Sequence, residues 1–206
     1  MKKKVAVSVL VLVLSLFINS SSSAQAFDDG ANIISLGFGL PPSKRIQDDF
    51  VYNYNYDYKL KNYGTAVLKY ERGLHKYFGI GLNLEYSASR QTYKYASAAD
   101  PQNYQYLYDV KNKTIAGYVR FNGHLPVGQK LDFYGGVGLG YSDEIRNYKD
   151  TNPAIKDPER NQKKSVFDFD YQITAGARFM IKDHVGMFFE IGKATTICQL
   201  GLAFKI

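Results

Sequence analysis

The chain of 206 residues has one cysteine, Cys198, so no intrachain disulfide can form. An exported protein lacking disulfides draws its stability from elsewhere. Beyond residue 26 it has no apolar run approaching the ~20 residues that a spanning helix needs. A membrane protein made from it must therefore cross the bilayer with strands closed into a barrel. It also lacks a strong charge excess. The 26 basic and 19 acidic residues give +7, and loss of Lys2, Lys3 and Lys4 with a leader leaves +4. So mild a balance argues against a nucleic-acid partner.

What the first residues do contain is a processing signal. The three lysines precede an apolar run over 5–18, then a serine-rich stretch, then Ala24-Gln25-Ala26. This charged, apolar, small-residue order predicts a cleaved secretory signal over 1–26, with cleavage after Ala26 and a single domain over 27–206. No cysteine lies near the cleavage point, which excludes lipidation of a new N-terminal Cys.

The rest of the chain alternates. Over 78–87, Phe78, Ile80, Leu82, Leu84 and Tyr86 share one face, opposed by Gly79, Gly81, Asn83, Glu85 and Ser87. Strand side chains alternate sides, so this is a strand with one apolar face. The pattern recurs over 167–180 and, less perfectly, over 32–40, 64–72, 114–123, 131–142, 185–192 and 198–206. Eight strands, several of about ten residues, suit a tilted membrane barrel. Short turns near 74–76, 125–130 and 182–184 alternate with long polar segments over 41–63, 88–113 and 143–166. That alternation predicts an all-β, eight-stranded antiparallel up-and-down transmembrane barrel with short periplasmic turns and three long extracellular loops. The fourth outer connection, 193–197, should be a tight hairpin.

Two barrel types alternate in this way, one apolar outside and one apolar inside. The polar faces decide, because they carry Gly37, Gly79, Gly136, Gly138, Gly176 and Gly201. Glycine weakens a solvated strand without benefit, whereas small residues inside a narrow barrel make room for large polar ones. The polar face is therefore placed inside and the apolar face against lipid. Aromatics at opposite strand ends agree: Tyr70, Phe78, Phe121, Phe133, Phe179 and Phe204 near one rim, and Phe38, Tyr86, Tyr141, Phe167 and Phe169 near the other.

YFGIGLNLEY, KLDFYGGVGLGY, ITAGARFMIKDHVGMFFEIG and the terminal QLGLAFKI together resemble the strand pairs of the small eight-stranded outer-membrane barrels of Gram-negative bacteria, the OmpA, OmpX and OmpW-like superfamily. The resemblance covers nearly all of 27–206. It implies an outer-membrane location and insertion by the barrel-assembly machinery. One departure is the terminus: the family often ends in an aromatic, whereas Ile206 is last here and Phe204 stands two before it.

The predicted interior holds Lys69, Glu71, Glu85, Arg120, Arg178 and Glu190. Charges in a narrow, water-poor lumen must pair, so these six are expected to form a salt-bridge plug; a gated polar path is the sharper alternative. Catalysis is not expected. Lipid-modifying barrels need a histidine near the outer leaflet, and all three histidines fall in or beside predicted short turns, where surface exposure is the simple reading. Neither a cofactor nor a metal site is expected, because the histidines do not cluster and the acids Asp143, Glu144, Asp168 and Asp170 read as solvated rim charges.

VYNYNYDY over 51–58 places Tyr52, Tyr54, Tyr56 and Tyr58 at every second position. If the second strand continues upward without a bulge, they extend its outward face, with Tyr58 reaching the outer girdle. Tyr93, Tyr95, Tyr104, Tyr106 and Tyr108 fall on the inward face of the next hairpin. These nine tyrosines form a candidate contact surface, and loop cations near the bilayer suit lipopolysaccharide phosphates. The leading expectation is a non-enzymatic anchor whose loops contact outer-membrane lipids, an extracellular protein or a surface ligand. A narrow, OmpW-like channel for small or apolar solutes is the alternative, and an outer-leaflet lipid-modifying enzyme the remote one.

Overall fold

The computed structural model describes residues 25–40, 56–96, 105–153 and 163–206. They form eight antiparallel strands: β1 (Asn32–Leu40), β2 (Tyr56–His75), β3 (Phe78–Tyr95), β4 (Tyr106–Val127), β5 (Leu131–Asp150), β6 (Lys163–Lys182), β7 (Val185–Lys193) and β8 (Cys198–Lys205). Each pairs with its sequence neighbour, and β1 pairs with β8 to close the ring. No described helix is long and apolar enough to cross a membrane.

Closure fixes which face is inside. Along β4, Ala116, Tyr118, Arg120 and Asn122 are buried while Ile115, Val119 and Phe121 are about half exposed. The same apolar-out pattern holds for Leu82 and Leu84, Val137 and Leu139, Phe189 and Ile191, and Leu200 and Leu202. Exposed apolar side chains surround the whole barrel, an arrangement that costs heavily in water and is favourable in a bilayer. The aromatic residues expected at the two rims are exposed too, apart from Phe204, which is half-buried. Inside, the glycines admit their neighbours: a Cβ on Gly136 would strike the side chains of Asn122 and Arg120, and one on Gly37 the ring of Phe188.

The expected strand bounds are too short at one end. β1, β7 and β8 have 9, 9 and 8 residues, as expected, but β2 to β6 have 18 to 22. About half of what was read as three long loops is therefore strand. The reason is physical: above a bilayer neither face needs to be apolar, so the alternation stops while the hydrogen-bonded ladder continues. A strand of about 10 residues spans the membrane, so another ~10 at ~3.3 Å and a tilt near 40° raise this five-stranded wall roughly 25 Å higher. On the low side, β7 and β8 join through the expected tight hairpin, closed by Gly192 N–H donating to Ile197 O at 3.0 Å.

β2 also corrects the reading of VYNYNYDY. Its register with β3 slips between Asn62 and Thr65 and again between Tyr56 and Lys59, and Gly64 at the first slip has φ +73°. An extra residue at each bulge turns the side chains over. Leu60 consequently pairs with inward Gln91, and Lys61 with outward Arg90. Tyr58 therefore does not continue the outward face of Tyr70.

Candidate functional site

The lumen is filled in layers. At the short-turn end Phe27, fully buried, stacks on His124 with ring centroids 3.5 Å apart and planes 6° from parallel. His124 Nδ1 lies 2.9 Å from Asp132 Oδ2, and Nε2 lies 3.1 Å from Glu71 Oε1. An imidazolium donates to both; a neutral ring would leave one carboxylate facing a lone pair. Arg178 completes this layer, donating to Glu71 Oε2 at 2.7 Å and to Asp132 Oδ2 at 3.4 Å, while Asn122 donates to Glu71. Beneath, Lys205 Nζ holds the entering chain through Asp28 and the Gln25 carbonyl, both at 3.0 Å.

The next layer centres on Glu190, which accepts from Lys69 at 2.8 Å and from Arg120 at 3.0 Å. Arg120 also donates to Thr174 and Asn122, which ties the two layers together. Between them a cavity of about 20 Å³, lined by Lys69, Glu71, Arg120, Arg178 and Glu190, has room for about one water. Above, Glu85 Oε1 accepts from Asn83 at 2.7 Å, Gln172 at 2.9 Å and Gln199 at 3.3 Å. The top is closed by Tyr118, whose hydroxyl donates to Asp170 at 2.8 Å and lies 3.1 Å from Thr195 of the low hairpin.

Of the six expected lumen charges, all are buried and five form ion pairs. Glu85 is the correction: amide groups solvate it, and no cation among the described residues bonds it. His124 is a second correction, since it is buried rather than on a surface turn. It lies on the inward parity of Arg120 and Asn122, so extending that strand by one residue would have found it. Asp132, on the inward face of β5, was not counted among the lumen charges. With His124 charged, four cations (Lys69, Arg120, Arg178, His124) match four acids (Glu71, Glu85, Asp132, Glu190). His75 and His184 stand apart at the turns, and no metal-binding group of His, Cys, Asp or Glu occurs among the described residues.

The tyrosines divide. Tyr52, Tyr54 and Tyr104 lie outside the described residues, and of Tyr56 only the backbone is described. Tyr93 and Tyr108 are buried against each other and Val110, with ring centroids 5.1 Å apart, and Tyr95 and Tyr148 pack on them. Tyr95 also donates to Asp150 at 2.7 Å, and its ring lies 5.7 Å from that of Tyr106, tilted by 39°. As contact surface Tyr93 and Tyr108 are thus corrected: they form a small aromatic core on the concave side of the tall wall. Tyr58 remains exposed.

Comparison with known proteins agrees with this architecture. The family model for the outer membrane protein beta-barrel domain matches residues 9–198. Outer membrane protein OprG from Pseudomonas aeruginosa has 14% identity and a TM-score of 0.50, covering 87% of this chain and 97% of its own. Ail, the attachment invasion locus protein of Yersinia pestis, solved in complex with the heparin analogue sucrose octasulfate, has 13% identity and a TM-score of 0.48, covering 86% and 99%. No curated protein sequence matches. The chain belongs to the outer membrane protein beta-barrel domain family.

Proposed function

We propose that this outer-membrane barrel is a non-enzymatic anchor that carries its five-stranded wall outside a Gram-negative cell, where the wall contacts envelope components or an external protein or surface ligand. The observation that carries this reading is the contrast between a lumen packed with paired charges and an upper wall built far beyond what spanning requires. A through-path for solutes would have to break the Glu190 and Glu71 layers, each costly to disrupt, so the narrow-channel alternative is disfavoured. Catalysis is disfavoured because both ring nitrogens of the buried His124 are taken by carboxylates, which leaves neither free as a base. Cleavage of 1–26 before insertion by the barrel-assembly machinery belongs to the same reading.

Protease treatment of intact cells tests the orientation. Cleavage within 151–162 or 96–105 on intact cells, with the barrel fragments still associated, is the expected result. Protection until the envelope is permeabilised would overturn it.

A further inference from the structure

Just above the exposed aromatic residues on the tall side, one cross-strand row runs Lys61, Arg90, Lys111, Asn147, Lys163 over β2 to β6. Lys113 sits in the row beneath, opposite Ala88 and Ile145. Below that come Tyr86, Ile115 and Phe167, then Tyr141 and Phe169, with Tyr141 stacked on Phe167 at 5.0 Å. Lys111 and Lys113 point outward, since they are exposed and alternate with buried Val110, Asn112 and Thr114. Lys61 joins them because of the β2 bulge. Without the extra residue at Asn62–Gly64, its parity would match that of Lys69 and turn it inward.

The charge in these rows is mostly uncompensated. Arg90 is taken by Asp109 through two bonds of 2.8 and 2.9 Å. Higher up, Lys59 pairs with Asp57, and its ammonium holds that carboxyl below its ordinary range. Asp143, in the aromatic row, accepts from Ser165 at 2.5 Å. Lys61, Lys111, Lys113 and Lys163 have no ion-pair partner among the described residues.

We propose that Lys61, Lys111, Lys113 and Lys163 form a binding row for the phosphate groups of lipids in the leaflet that surrounds the base of the tall wall. The height fits. Each row is two residues, which at ~3.3 Å and a tilt near 45° is about 5 Å of vertical rise. Lys113 therefore stands about 5 Å above the Tyr86 level and the other lysines about 10 Å, within reach of headgroup phosphates when the flexible side chains lean toward the apolar boundary. The aromatic rows seat the acyl and interfacial region, the lysines take the charge above it, and the bulge at Gly64 is the device that brings β2 into the row. The inference rests on the wall being outside the cell only for naming the leaflet; the protease test above decides that separately.

The test uses the full mature chain in neutral detergent, titrated with lipid A and followed by native mass spectrometry. Wild type is expected to retain phosphate-bearing lipid, and K61Q/K111Q/K113Q to bind it roughly 100-fold more weakly, about fivefold per surface lysine. K61R/K111R/K113R, which keeps the charge, and K76Q/K130Q/K182Q, at the opposite rim, are expected to stay near wild type. If the glutamine triple does not fold, K111Q alone should show the fivefold loss. Equal binding by the glutamine triple and wild type, equal loss in the opposite-rim triple, or displacement of the lipid by comparable concentrations of inorganic phosphate would overturn the proposal.

Discussion

Glu190→Gln removes the negative charge at the centre of the lumen while nearly preserving shape. Two cations depend on it, Lys69 at 2.8 Å and Arg120 at 3.0 Å, and both are more than nine-tenths buried. Breaking a buried pair by removing one partner costs about 3–5 kcal/mol, because an uncompensated charge stays behind. Lys69→Met leaves the Arg120–Glu190 pair intact and should cost less, roughly 1.5–3 kcal/mol, on the scale of one charged hydrogen bond. The double variant Lys69→Met/Glu190→Gln strands one cation instead of two. Its loss should fall short of the sum of the single losses, by up to ~3 kcal/mol for groups in direct contact. Reversible urea unfolding in lipid vesicles, followed by the gel shift between folded and unfolded barrel, measures all three. A Glu190→Gln loss within about 0.5 kcal/mol of zero would refute the reasoning, since it would mean that both cations reach water and the lumen is not packed.

Other substitutions probe the floor, the bulge and the wall. His124→Ala removes the stacking surface of Phe27 and the donor shared by Glu71 and Asp132; it should destabilise by about 3 kcal/mol or more and raise amide exchange over 27–31. Gly64→Ala meets both a positive φ and the ring of Phe38, and should lower the unfolding midpoint by an amount worth at least about 1–2 kcal/mol. Tyr95→Phe deletes the bond to Asp150 and should loosen exchange protection only in the upper parts of β3 to β5, by about 1 kcal/mol, with the global midpoint unchanged.

How much of this could be read from the chain follows from where the bilayer acts. Over 78–86 apolar and small polar residues alternate because one face meets lipid and the other a crowded lumen, so the strand and its orientation are legible. From Arg90 to Tyr95 the outer face meets polar surroundings and only Tyr93 and Tyr95 alternate on the inner one, so β3 continues with little pattern to announce it. The lumen charges are legible as a set because inward parity collects them. Their pairing is not, since whether Glu85 meets a lysine or three amides depends on register around a closed ring. The bulge at Gly64 hides in the same way: one extra residue in NYG carries no composition signal, yet it turns over Lys61 and its neighbours up to the second slip between Tyr56 and Lys59. His124 was within reach, one residue past the point where the pattern was taken to end.

Planar-bilayer recording on the purified wild-type barrel addresses the central claim, that the lumen is closed by its charge layers and serves as an anchor. The account predicts no resolvable channel openings under conditions where Glu190→Gln or Phe27→Ala protein is recorded alongside. Stable, reproducible conductance through the wild-type barrel would contradict it.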